Sequence, residues 1–95
     1  MQETSQKDSR IQIREAVVVE GRYDKIKLSS ILDTTIIETN GFRIFKDKEK
    51  MALLRALADK KGLIILTDSD AAGFQIRHHI AGSIDPKKIS IFKNM

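Results

Sequence analysis

The sequence predicts an α/β domain built on a four-stranded, mostly parallel sheet with helices on both faces. Three observations carry that expectation. Unbroken apolar runs, Ala16-Val17-Val18-Val19 and Leu63-Ile64-Ile65-Leu66, have the form of parallel strands buried on both faces. Between such runs, apolar residues recur every three or four positions, as on one side of a helix. Strand and helix patterns alternate along the whole chain, the arrangement of a parallel sheet joined by right-handed helical crossovers.

The elements follow in order. The first strand is expected over residues 16–20, and the first helix over 24–32, with Leu28, Ile31 and Leu32 on one face. A short strand at 35–38 leads into a turn at Asn40-Gly41. The second helix spans 47–60, with Asp47 as N-cap and Met51, Leu54, Leu57 and Ala58 as its apolar stripe. Lys60 and Lys61 suit a helix C-terminus, and Gly62 is the expected stop. The third strand is 63–67. The third helix is 72–84, where Ile76, Ile80 and Ile84 repeat every four residues. Asp85-Pro86 breaks the chain before a last strand at 88–92.

At 95 residues the chain is long enough for one domain with a modest core, and 41% hydrophobic residues can fill it. Residues 1–14 are expected to be a flexible tail, leaving 15–95 as a minimal domain or a piece of a longer protein. Cysteine is absent, which excludes disulfides and zinc–thiolate sites. No apolar stretch approaches the length of a membrane span, and residues 1–10 lack the apolar core of a signal peptide. A cytoplasmic location is the expectation. The net charge of +4 suits a polyanionic partner, or is ordinary solubility charge.

Chemistry concentrates where two apolar runs end. Glu20-Gly21 follows the first strand, and Asp68-Ser69-Asp70 follows the third. Open α/β sheets bind ligands beyond the carboxyl ends of their strands. Carboxylates converging there repel one another and call for a hard cation, which points to magnesium-dependent phosphate chemistry. In extended backbone Asp68 and Asp70 would point the same way and Ser69 away. The alternative is that Asp70 caps the third helix and Asp68 is a solvated turn residue. Gly21 permits a tight turn or close approach of a phosphate. Other motifs fail. An EF-hand loop starting at Asp68 places Gly73 correctly but has His79 where a bidentate Glu is required. A haloacid-dehalogenase-type phosphatase needs its Asp-x-Asp after the first strand, and a Thr or Val where Ala72 stands. No phosphate-binding Gly-rich loop occurs.

The paired motifs resemble those of the Toprim domain, a Rossmann-like α/β fold shared by topoisomerases, bacterial primases and several nucleases. Its hallmarks are Glu-Gly after the first strand and Asp-x-Asp after the third. The form Glu20-Gly21-x-x-Asp24 is similar to primases and to the ribonucleases that mature 5S ribosomal RNA; the stretch Ile37-Glu38-Thr39-Asn40-Gly41 and the segment from Thr67 to Arg77 are most similar to those ribonucleases and their small Toprim relatives. The resemblance covers nearly the whole chain. It implies that Glu20, Asp68 and Asp70 are catalytic and hold Mg²⁺, with Mn²⁺ able to substitute, and that Glu20 is a metal ligand or the general acid/base. Asp24 assists or, as favoured here, caps the first helix. Gly73 is a supporting residue. It implies hydrolysis of structured RNA, 5S ribosomal RNA precursor, with a ribosomal protein as a further partner. Other Toprim chemistry, primase-like or DNA-nicking, is the enzymatic alternative; a non-catalytic nucleic-acid-binding module is the other.

Arg22, Lys25, Arg43, Lys46 and Arg77 are placed near the same edge as phosphate contacts, or form a solvated charged face. Asn40 and Gly41 form a turn that offers backbone N–H groups to a phosphate or simply reverses the chain. Phe42 and Phe45 suit core packing or a partner surface, or stack on bases. His78 and His79 are read as surface residues.

Overall fold

The computed structural model describes residues 9–68 and 70–94. The expectations for residues 1–8 and for Ser69 lie outside the described residues. The elements are β1 (Ile11–Gln12), β2 (Ala16–Val19), α1 (Arg22–Ser29), β3 (Leu32–Asp33), β4 (Ile36–Glu38), a 3-10 turn (Gly41–Lys46), α2 (Lys48–Lys61), β5 (Leu63–Asp68), α3 (Ala71–Ala81), a 3-10 turn (Pro86–Lys88) and β6 (Ile89–Asn94). Four strands form the main sheet in the order β4-β2-β5-β6, and every pair is parallel.

The apolar runs lie at the centre of this sheet because both their faces are covered. Ala16, Val18, Leu63 and Ile65 point to one side, where Met51, Leu54 and Ala58 of α2 and Ile76 and Ile80 of α3 complete the core. Val17 and Val19 point to the other side, against Ile36 and the half-buried Leu28 of α1. The stripe expected on α2 is the one buried, with Leu57 packed at its margin. Asp47 caps that helix by accepting the Lys50 N–H at 2.9 Å. Gly62 ends it at φ 86°, a conformation that favours glycine.

Several boundaries differ from the expectation. α1 begins at Arg22 and stops at Ser29, so Leu32 belongs to a strand and Ile31 is 47% exposed. The Ser29 hydroxyl donates to the Lys25 carbonyl and the Ser30 hydroxyl to the Lys27 carbonyl, which satisfies last-turn acceptors and ends the helix locally. α3 ends at Ala81, after which Ser83 and Ile84 donate to carbonyls three residues back; Ile84 is still buried. Regular structure also starts inside the segment expected as a tail. Ile11 and Gln12 pair in parallel with Leu32 and Asp33, forming a separate two-stranded ladder. Arg10 reinforces it through the Ser29 carbonyl at 3.2 Å and Asp33 at 3.4 Å.

Candidate functional site

The sheet is built outward from β2 in both directions, with β4 on one side and β5 and β6 on the other. The carboxyl ends of β2 and β5 therefore meet at a topological switch point, where the flanking connections diverge and leave a crevice. Glu20 directly follows β2, and Asp68 is the last residue of β5. Glu20 Oε2 accepts the backbone N–H of Asp68 at 2.7 Å, across 48 positions of sequence. The Glu20 main chain is held as well. Its carbonyl accepts the Gly41 N–H at 3.1 Å and the hydroxyl of buried Thr39 at 3.0 Å.

Burial pushes the Glu20 carboxyl above its ordinary value. The Asp68 N–H pulls it back, and the negative charges of Asp68, Asp70 and Asp24 raise it again. Asp70 is the N-cap of α3, with Oδ1 accepting the Gly73 N–H at 2.7 Å. Gly73 is required here by a close approach: a Cβ at this position would stand 2.1 Å from the Asp68 carbonyl oxygen. Gly21 has no such constraint, since its backbone is extended and a Cβ would meet only Asp24 Oδ2 at 4.0 Å.

Asp24 is not the cap of α1. Gly21 holds that position, and no side chain caps it, because α1 starts two residues earlier than its apolar pattern suggests. Asp24 instead sits in the first turn, where its charge suits the helix N-terminus. With Glu20 and Asp68 it rims a cleft of ≈ 220 Å³ whose apolar wall includes Val19, Leu28 and Leu66. Lys27 lines the same cleft.

The basic residues divide into three groups. Arg22 and Lys25 line a shallow groove on α1 beside Glu38. Arg43 and Lys46 line a second groove, on the turn after β4. Arg77 joins neither: it is only 8% exposed, against the expectation of an outward phosphate contact. Its Nη1 donates to Thr67 Oγ1 at 2.7 Å and to the Asp68 carbonyl at 3.1 Å. Arg77 lies on the same stripe of α3 as Gly73, Ile76 and Ile80, so the helix carries it into the sheet. Asn40 and Gly41 both have φ 61°, and the Gly41 N–H is engaged by the Glu20 carbonyl; the turn braces Glu20.

Sequence reasoning missed Thr39, Thr67 and Lys50. Each secures the edge, Lys50 by donating its ammonium to the Glu38 carbonyl at 2.7 Å. The available signal was a polar residue on an inward register: Thr67 continues the alternation of Leu63 and Ile65, and Arg77 interrupts an apolar helix stripe. A buried cation and a buried hydroxyl need partners, and here they find each other.

Among the described residues, no group of three or more His, Cys, Asp and Glu side chains stands close enough together to hold a metal ion by itself. The donor chemistry nevertheless fits a hard divalent cation. All donors are carboxylate oxygens, and after burial the charges of Asp68, Asp70 and Asp24 add to the rise of the Glu20 carboxyl. Mg²⁺ keeps several waters and takes only one or two carboxylates together with substrate phosphate, so an open set of this kind is the form it requires.

The sequence model of the family described as the Toprim domain matches residues 14–93. Curated relatives carry the name Ribonuclease M5. That of Borreliella burgdorferi is 44% identical over 68 residues, covering 72% of this chain and 36% of the relative. That of Bacillus subtilis is 38% identical over 74 residues, covering 78% and 39%. That of Mycoplasma mycoides subsp. mycoides is 35% identical over 82 residues, covering 84% and 45%. The chain thus spans less than half the length of these relatives.

Proposed function

The chain belongs to the Toprim domain family, and from that premise we propose that it is the catalytic domain of a metal-dependent endoribonuclease. One observation carries the reading: the acid after β2 and the acids after β5 share the switch-point edge, tied by the bond from the Asp68 N–H to Glu20. Carboxylates in this arrangement repel a phosphate, so nucleic acid approaches productively only with a cation between them. Glu20, Asp68 and Asp70 would hold Mg²⁺, or Mn²⁺ in its place. Bound there, the cation would supply charge stabilisation at the scissile phosphate and would ease deprotonation of an attacking water.

The chain's own residues do the rest. Glu20, its carboxyl raised above its ordinary value by burial, is the group we assign to proton exchange. Arg77 holds the Asp68 carbonyl, and the Gly73 N–H holds the Asp70 carboxylate. Arg22, Lys25, Arg43 and Lys46 hold the flanking phosphates and register the strand. The substrate we assign is structured precursor of 5S ribosomal RNA, with a ribosomal protein as accessory partner, in the cytoplasm. Likeness to proteins named Ribonuclease M5 supports the ribonuclease class, and the resemblance of the segment from Thr67 to Arg77 supports the substrate.

Two experiments test this. In a Mn²⁺ titration followed by residue-resolved NMR, broadening should centre on Gly21, Asp68 and Asp70; broadening scattered over surface acids would remove the catalytic reading. Asp68→Asn should abolish RNA cleavage while RNA affinity is kept or improved. Cleavage that persists in that variant sinks the assignment.

A further inference from the structure

Three of the four phenylalanines and both histidines of the chain meet on one surface, where the Gly41–Lys46 turn packs beside α3. Phe42 stacks on Phe45 with ring centroids 5.6 Å apart, and Phe45 meets His79 edge-on at 4.7 Å. Phe74 stacks on His78 at 5.7 Å. A groove of ≈ 350 Å³ lined by Phe45, Phe74, Gln75, His78 and His79 joins the two sets. Core packing does not account for these rings. Phe42 is 54% and Phe74 58% exposed, while Ile44 and Ile76, from the same two elements, fill the core.

We propose that this surface is a stacking platform for unpaired nucleotides of an RNA strand that leaves the acidic edge. Position supports it. The Gly41 N–H bonds the Glu20 carbonyl, and Asp70 caps the helix that carries Phe74, so both ring sets begin beside the acids. Charge supports it too. Exposed Arg43 and Lys46 flank the rings of the turn, and among the described residues no carboxylate lines the groove between the ring sets. An array of flat rings with cations alongside matches single-stranded nucleic acid, whose bases stack while its phosphates pair with the cations. A protein partner would find few aliphatic anchors in that groove. The path of the strand rests on the reading of the acidic edge as the cleavage site; the stacking itself is tested separately.

The test uses the 95-residue chain, fluorescein-labelled single-stranded heptaadenylate and a blunt RNA duplex of the same label, in metal-free buffer. Phe42→Ala and Phe74→Ala change exposed rings, so the fold is retained. Each should weaken heptaadenylate binding about tenfold while leaving duplex binding unchanged. Ring protons of Phe42, Phe45 and Phe74 should move upfield on titration. Equal affinity of wild type and variants overturns the proposal, as does absence of binding by the wild type. Self-association that both variants abolish, with RNA binding untouched, also overturns it and assigns the surface to a second copy of the chain. Failure of the nuclease reading looks different: no Mn²⁺ broadening at the acidic edge, with heptaadenylate binding and its loss in the variants intact.

Discussion

Glu20 and Asp68 are joined by a bond from the Asp68 backbone N–H to the Glu20 carboxylate, at 2.7 Å. This fixes the spacing of the two acidic motifs independently of any ligand. It also leaves the Glu20 charge in a conflict: the N–H favours the ionised form, but burial and three neighbouring aspartates oppose it more strongly.

The conflict has a pH signature. Unfolded, Glu20 titrates near 4.5; folded, it titrates higher. Between the two values the folded chain binds more protons, so stability falls as pH rises, and the full penalty applies above the folded value. Glu20→Gln removes the charge and keeps an acceptor for the Asp68 N–H. The variant should melt above wild type at neutral pH, and the gain should vanish below the unfolded value. Calorimetry across that range checks it. Mg²⁺ should stabilise wild type more than the variant, because ligand binding to the folded state adds stability.

Gly73→Ala should destabilise by about 3 kcal/mol, since the new methyl carbon collides with backbone and not with a flexible side chain. The start of α3 must move away from the Asp68 carbonyl to relieve the clash. Urea unfolding measures the loss, and Mn²⁺ broadening at Asp68 and Asp70 should weaken with it. A stable variant with unchanged broadening would show that this close approach is dispensable.

Arg77→Met preserves much of the side-chain volume but leaves the Thr67 hydroxyl and the Asp68 carbonyl without this donor. The expected cost is about 1–3 kcal/mol. Arg77→Lys should recover part of it, because one donor reaches where two bonds were made. Added heptaadenylate should bind both variants as well as wild type. A large loss of RNA affinity at retained stability would restore Arg77 as a direct phosphate contact.

Asp47→Ala removes the side chain that accepts the Lys50 N–H, at a cost of about 1 kcal/mol. Lys50 also donates its ammonium to the Glu38 carbonyl, so loosening the first turn of α2 should raise hydrogen exchange at the end of β4. Exchange confined to α2 would uncouple the cap from the edge.

The linear chain specifies the alternation of elements, the central strands and the identity of the acidic motifs. It could do so because those features rest on local patterns: apolar runs for strands buried on both faces, a Asp47 cap with its helical stripe, a glycine stop at Gly62, and acids placed directly after strands. Tertiary structure decided the rest. The β1–β3 ladder involves only two residues on each strand, too few for a period to register. The early end of α1 is local by contrast, set by serine hydroxyls that bond carbonyls one turn back. The 2.7 Å tie between Glu20 and Asp68 and the meeting of Phe45 with His79 join residues distant in sequence, and the inward turn of Arg77 joins α3 to the end of β5. Such contacts exist only once the crossovers have brought β2 and β5 side by side and laid α3 against them. A linear pattern carries the residue types for those contacts but not their meeting.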